Sequence, residues 1–216
     1  GAKIVELVDL VAFTGSINTG KKIALAASKK LTPVLMEIGA KDPAIVMQGA
    51  NLEIAATAIL KGSTTNAGQN CLSFERIYVH ESIHDTLVDL LVEKTKALQL
   101  VTEDQHKGEI GPIIFEKQVL TINTHLEDAK TLGAIMLTGS NSCEQIHGGF
   151  YCRPTILVNV THNMLLMKEE TFGPIMPIMS FSSTEEVVEL ANKTKYSLGA
   201  AVFAATDEEA TDIANR

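Results

Sequence analysis

One thiol stands in a sequence context that could make it a nucleophile. Cys71 follows the polar run Asn66-Ala67-Gly68-Gln69-Asn70, where backbone N–H groups could favour the thiolate, the reactive form of cysteine. A free Cys is more often an inert core residue, but the Gly-Gln-Asn before Cys71 makes burial less natural. Cys143 and Cys152 lie in a loop-rich stretch, and we interpret them as structural or exposed.

Three carboxylates have comparable contexts. Glu37 lies between apolar residues at the predicted end of a strand, the edge at which α/β sheets bind ligands. Partial desolvation there would suit a general base, although a structural Glu paired with Lys41 is equally open. Glu169 and Glu170 precede Phe172 and a Gly-Pro turn. Glu170 could accept hydrogen bonds from ribose hydroxyls beside Phe172, or the segment could be a solvated acidic turn.

A Gly-Ser turn near the start of the chain could bind phosphate. Gly15 and Ser16 follow an apolar strand and precede a helix that is predicted to begin near Thr19. Backbone amides at a helix N-terminus bind phosphate groups, so this turn could hold a pyrophosphate. An ordinary turn with a hydroxyl N-cap is the alternative, since the full GxGxxG fingerprint is absent.

The elements that must position these residues alternate along the chain. Strands are predicted near residues 9–13, 33–38, 43–48, 74–79, 134–138, 175–181 and 200–204, and helices near 19–30, 51–66, 81–98, 115–132, 183–194 and 207–216. This alternation is typical of the α/β class. The stretches 101–112 and 140–154 are predicted loops.

Composition excludes several classes of protein. The 216 residues carry 18 Lys and Arg against 26 Asp and Glu, a formal charge of −8, which disfavours nucleic-acid and anionic-membrane binding. A hydrophobic fraction of 45% excludes intrinsic disorder. Three unevenly spaced cysteines support neither a disulfide framework nor a zinc site, so a cytoplasmic location is expected. No apolar run reaches the roughly 20 residues of a membrane span.

Taken together, these segments resemble the aldehyde dehydrogenase superfamily, in the family's order and spacing. The family's Glu-Leu-Gly-Gly-Lys motif is matched by Glu37-Ile38-Gly39-Ala40-Lys41, and its Gly-Gln-x-Cys motif by Gly68-Gln69-Asn70-Cys71. Its Glu-Glu-x-Phe-Gly-Pro motif is matched by residues 169–174. Family-like sequence also runs through 41–46 and 196–203, so the resemblance covers essentially the whole chain.

The resemblance implies an α/β fold with a parallel-sheet catalytic domain and flanking helices. Residues 1–39 would end the dinucleotide-binding domain, and residues 40–216 would form a catalytic domain that is incomplete at its C-terminus. Because the chain opens without Met and stops within a helical pattern, we expect a piece of a longer protein. The isolated piece is expected to turn over little, and the full-length parent is expected to be a dimer or tetramer.

The resemblance also implies a reaction, the oxidation of a small-molecule aldehyde to a carboxylic acid with NAD or NADP. Cys71 would be the nucleophile that forms a thiohemiacetal and then a thioester, and Glu37 would activate the hydrolytic water. The residues expected at the cofactor are Gly15, Ser16, Gly39, Glu170 and Phe172.

Two alternatives remain open. Coenzyme A could replace water as the acyl acceptor, although Glu37 favours hydrolysis. A catalytically silent relative that acts as an interaction module is also conceivable, because Ala40 replaces the family's second Gly and could require a backbone angle that Ala disfavours. Thr64 and Ser73 are further departures around the cysteine motif.

Overall fold

The computed structural model describes residues 1–103 and 107–216. The chain divides into two compact units, Gly1–Ala40 and Lys41–Arg216. The predicted loop over 101–112 includes residues 104–106, which lie outside the described residues.

The first unit places a helix between two parallel strands. After a short 3₁₀ helix, Ala2–Glu6, come β1 (Val11–Gly15), α1 (Ile17–Ser28) and β2 (Val34–Ile38). Strands β1 and β2 pair with Gly15 opposite Ile38, so both strands end at the same edge. Helix α1 begins two residues earlier than predicted because Ser16 caps it, with its Oγ accepting from Thr19 N at 3.3 Å.

The second unit is built on a six-stranded sheet in the order β10-β3-β4-β9-β8-β5. Its strands are β3 (Asp42–Val46), β4 (Phe74–His80), β5 (Ile135–Met136), β8 (Thr155–Val158), β9 (Ile175–Phe181) and β10 (Ala201–Phe203). All neighbours are parallel except β5, which runs antiparallel to β8. The predicted α/β class with a mainly parallel sheet is therefore confirmed.

Helices cover both faces of this sheet. They are α2 (Leu52–Thr64), α3 (His84–Ala97), α4 (Glu116–Thr131), α5 (Leu165–Lys168), α6 (Thr184–Asn192) and α7 (Asp207–Ala214). Ile77 and Val79 of β4 pack into one apolar cluster with Ile59, whereas Tyr78 between them packs into the other with Ile122. Because successive strand side chains alternate between faces, β4 is buried on both, and its centre, residues 77–79, is a continuous apolar run.

The stretch 140–154, predicted as a loop, contains a hairpin, and that prediction is wrong. Strands β6 (Glu144–Ile146) and β7 (Gly149–Tyr151) pair antiparallel with Glu144 opposite Tyr151. This register sets Cys143 opposite Cys152, and the two form a disulfide. The expectation of no disulfide is therefore also wrong, and a cytoplasmic location, which was inferred from unpaired cysteines, stays a prediction. Within the described ranges, no helix has the length and apolar character of a membrane span.

Candidate active site

Cys71 lies on a loop between α2 and β4, which we call the cysteine loop (residues 65–73). Its thiol is free and exposed, and its Sγ lies 3.7 Å from Asn70 Oδ1. Burial as a small core residue, the ordinary interpretation of a free Cys, therefore does not apply here.

The cysteine loop has an unusual backbone. Asn66, Ala67 and Gly68 have φ values of +54°, +56° and +70°, so three consecutive residues are left-handed. This conformation is unfavourable for Ala, at about 1–2 kcal/mol, and is retained only where surrounding contacts enforce it. The sequence expected backbone strain at Ala40 instead. Ala40 is buried, and it is not among the described residues with positive φ.

Gln69 supplies the contacts that enforce this backbone. Its Nε2 donates to Asn66 O at 2.9 Å and to Pro112 O at 3.1 Å, and its Oε1 accepts from Ile114 N at 2.8 Å. Sequence reasoning quoted Gln69 within the motif but gave it no role. The burial of this amide side chain was the missing signal, and a single sequence does not show burial.

The backbone N–H of Cys71 points to an anion-binding role. Leu72 N donates to Asn70 Oδ1 at 3.0 Å, and Ser73 N donates to Asn70 O at 3.0 Å. In the part of the chain that the structure describes, the Cys71 N–H has no acceptor. An unpaired amide beside a nucleophile is the donor that a developing oxyanion requires.

Glu170 and Phe172 lie on a second loop, which we call the Glu170 loop (residues 169–174). Its three central amides are each bound by a side chain. Glu170 N donates to Tyr196 Oη at 3.2 Å, while Thr171 N and Phe172 N donate to the two oxygens of Glu75, both at 2.7 Å. Phe172 is left-handed, with φ at +49°. The backbone around Glu170 is therefore fixed from two sides.

Glu75 is itself held by a buried cation. Lys41 Nζ lies 2.7 Å from Glu75 Oε2, and the two residues are 2% and 3% exposed. Burial lowers the pKa of Lys41, and Glu75 opposes that shift. Arg76 Nε donates to Lys41 O at 2.8 Å and so fixes the backbone at Lys41. Lys41, offered from the sequence as a partner for Glu37, is thus paired with Glu75.

The two loops are in contact. A Cβ placed on Gly68 would overlap the carbonyl group of Gly173. The loop that carries Cys71 therefore packs directly on the loop that carries Glu170 and Phe172, as the sequence motifs alone could not show.

In the first unit, the remaining predicted residues lie at or just after the C-terminal ends of β1 and β2. Gly15 and Ser16 form the turn into α1, and the Ser16 hydroxyl is engaged as the N-cap. Glu37 pairs in register with Thr14, and Gly39 directly follows β2 and is buried. Glu37 is exposed, so the expected partial desolvation is wrong within this chain. Strand β2 has only β1 as a neighbour, which leaves its side chains open to solvent.

The chain matches known proteins over its whole length. A Mycolicibacterium smegmatis protein named as a succinate-semialdehyde dehydrogenase [NADP(+)] is 38% identical over 99% of the chain and 41% of its own length. A solved structure from Anabaena variabilis, described as an aldehyde dehydrogenase, has 49% identity and a TM-score of 0.98 over 100% of the chain and 46% of its own. Betaine aldehyde dehydrogenase from Staphylococcus aureus, solved with NAD+, has 33% identity and a TM-score of 0.88 over 96% and 42%.

These matches set the scope of the assignment. The chain spans about two fifths of the length of the curated relatives. The model of the aldehyde dehydrogenase family matches residues 2–216. The chain, in which the cysteine loop packs on the Glu170 loop, therefore belongs to the aldehyde dehydrogenase family.

Proposed function

We propose that this chain is the cysteine-bearing part of a longer enzyme that oxidises an aldehyde to a carboxylic acid with NAD or NADP. The observation that carries the proposal is the exposed thiol of Cys71, on a loop fixed by Gln69. Beside this thiol lies the backbone N–H of Cys71, which has no hydrogen-bond acceptor among the described residues. That pairing offers a nucleophile and an oxyanion donor at one residue. The relatives named above support the choice of aldehyde as substrate class.

The residues present fit a nicotinamide dinucleotide. Gly15 and Ser16 precede the N-terminus of α1, where backbone amides suit a diphosphate. Glu170 is half-buried and has a fixed backbone, so its carboxylate suits ribose hydroxyls. Phe172, also half-buried, and Gly39 complete the proposed cofactor set. When bound, NAD(P)+ accepts the hydride that leaves the substrate carbon.

The chain's own residues would act in sequence. The Cys71 thiolate adds to the aldehyde carbon, and the Cys71 N–H binds the oxygen as its negative charge develops. After hydride loss the carbon is a thioester to Cys71. Glu37 takes a proton from the water that attacks this thioester, so the acid leaves and the thiolate returns.

The chain alone should turn over little or nothing. Its relatives are more than twice as long, and we propose that the missing segments supply the rest of the cofactor site and of the oligomer interface. NADH formation by the purified 216-residue chain at the rate of its full-length parent would contradict this.

The direct test is NAD(P)H formation by the full-length protein with a panel of aldehydes, with and without coenzyme A. Cys71→Ser should abolish the signal, whereas the control Cys143→Ser/Cys152→Ser should keep it. Dependence on coenzyme A would favour an acylating enzyme. No Cys71-dependent signal under any condition would favour the silent relative.

A further inference from the structure

We propose that Glu75 is a positioning residue for cofactor binding, with Tyr196 as its auxiliary. The inference rests on the proposed function, because it takes Glu170 and Phe172 as the residues that face the nicotinamide half of the cofactor. Glu75 lies outside the three sequence motifs, and its carboxylate acts through the backbone of the Glu170 loop.

The contacts of Glu75 are all made with hydrogen-bond donors. Its Oε1 accepts from Phe172 N, and its Oε2 accepts from Thr171 N and Lys41 Nζ, each at 2.7 Å. An ionised carboxylate is an acceptor only, and donors to both of its oxygens fix its orientation. Glu75 projects from β4, an interior strand of the sheet, so the anchor is rigid.

These contacts fix the backbone on both sides of Glu170. The two amides held by Glu75 are the ones that directly follow Glu170, and the third, Glu170 N, is held by Tyr196 Oη. Phe172 needs a left-handed backbone, which is unfavourable for an aromatic residue unless contacts enforce it. Without Glu75 the Thr171 and Phe172 amides would both lose their acceptor, and the remaining hydrogen bond from Gln118 Nε2 to Thr171 O does not fix the Phe172 amide.

Tyr196 is suited to its auxiliary role as a neutral phenol. Its hydroxyl donates to Glu169 Oε2 at 3.1 Å while it accepts from Glu170 N at 3.2 Å. The conformations of the two adjacent glutamates are thereby coupled through one side chain. Loss of this hydroxyl removes one anchor and leaves the two Glu75 anchors in place, so it should have the smaller effect.

Because Glu75 also pairs with Lys41, variants of Glu75 can distinguish positioning of the Glu170 loop from simple structural support of the fold. Glu75→Asp keeps the negative charge that Lys41 requires, but its carboxylate is one methylene shorter and cannot reach both amides. Glu75→Gln removes the charge and leaves Lys41 buried and unpaired, so it should also destabilise the fold. Lys41→Met/Glu75→Gln removes both charges together.

The test uses the full-length protein in a Cys71→Ser background, with the dissociation constant for NAD(P)+ measured by calorimetric titration. Because this readout needs no turnover, it is independent of the catalytic test above. Glu75→Asp should raise the dissociation constant about tenfold or more, since charge-assisted hydrogen bonds of this type are lost. Tyr196→Phe should raise it about threefold, as expected for one neutral hydrogen bond.

The matched control is Glu53→Gln, at an exposed glutamate of α2 whose Oε2 lies 2.8 Å from Nζ of Lys94 in α3. It should leave the dissociation constant unchanged. Folded Glu75→Asp with wild-type affinity would overturn the inference. If the Glu75 variants do not fold, wild-type affinity in Tyr196→Phe would overturn it.

Hydrogen exchange of the cofactor-free protein provides a second readout. The Thr171 and Phe172 amides should exchange faster in Glu75→Asp than in wild type, while residues 84–97 of α3 keep their protection. Weaker cofactor binding without faster exchange at these two amides would also overturn the inference. Wild-type protein that binds no NAD(P)+ would overturn both this inference and the proposed function.

Discussion

Gly68 packs against the carbonyl group of Gly173 so closely that no side chain fits between the two loops of the candidate active site. Gly68 also has φ at +70°. Gly68 therefore meets two requirements, the close approach to Gly173 and the left-handed backbone. Their contributions can be measured separately, because another glycine has only the left-handed backbone.

We predict that Gly68→Ala destabilises the protein by about 3 kcal/mol, because steric overlap adds to the cost of a left-handed Ala. Gly133→Ala is the control, since Gly133 has φ at +94° but its Cβ would meet only Asn159 Nδ2, at 3.9 Å. That variant should lose only about 1 kcal/mol. Urea unfolding of both variants measures the difference, and equal losses would show that the contact with Gly173 contributes nothing.

Ser73, two residues after Cys71, is buried with an unsatisfied hydroxyl. No hydrogen-bond partner for its Oγ exists among the described residues. Because a buried polar group without a partner costs about 1 kcal/mol or more, we predict that Ser73→Ala leaves stability unchanged or raises it by that amount.

Ser63→Ala is the matched control for Ser73→Ala. Ser63 is equally buried, but its Oγ donates to Phe74 O at 2.9 Å. The control should lose about 1 kcal/mol. A clear loss of stability in Ser73→Ala, seen in the thermal unfolding midpoint, would contradict the assignment of Ser73 as unsatisfied.

His125 should make stability fall in mild acid. Its Nδ1 lies 3.1 Å from Thr171 Oγ1, beneath the Glu170 loop, and burial, reinforced by Lys41, lowers its pKa. The unfolded chain therefore binds a proton at a pH where the folded protein does not. This contribution is complete above the unfolded value of about 6.5 and is lost as the pH falls through the folded pKa.

The measurement is the unfolding midpoint of wild type and His125→Gln between neutral and mildly acidic pH. Wild type should lose stability as the pH falls, and the variant should lose less. Part of the slope should persist, because burial also lowers the pKa of His162. Identical slopes in wild type and His125→Gln would rule out this role of His125.

The sequence located the candidate residues of the site better than the contacts that hold them. Cys71 and Glu170 occur in short linear motifs, so one reading of the chain finds them. Glu75 does not, because it contacts Thr171 across 96 positions and that separation is closed only by the pairing of β4 with β9. A buried, paired glutamate inside an apolar strand was the one available signal.

The errors in the fold have a similar origin. The hairpin of β6 and β7 was read as a loop because Gly, Asn and Ser dominate residues 139–149, and composition predicts turns better than short edge strands. The Cys143–Cys152 pair depends on that register and was missed with it. The long strands β4 and β9 were placed within one residue, since each contains an apolar run, residues 77–79 and 175–179, as expected of a sheet buried on both faces.

Gln69 should control the order of the cysteine loop. Gln69→Glu replaces the Nε2 donor with an oxygen that faces the Asn66 and Pro112 carbonyls in a buried site, which is unfavourable without a compensating donor. We predict a loss of about 2 kcal/mol in stability and faster hydrogen exchange over residues 66–73. Gln145→Glu, at an exposed position of β6, is the matched control and should change neither.

Because Cys71 depends on the same loop, Gln69→Glu should also slow Cys71-dependent turnover of the full-length protein. Wild-type exchange and turnover in a folded Gln69→Glu protein would show that the left-handed backbone is maintained by other contacts.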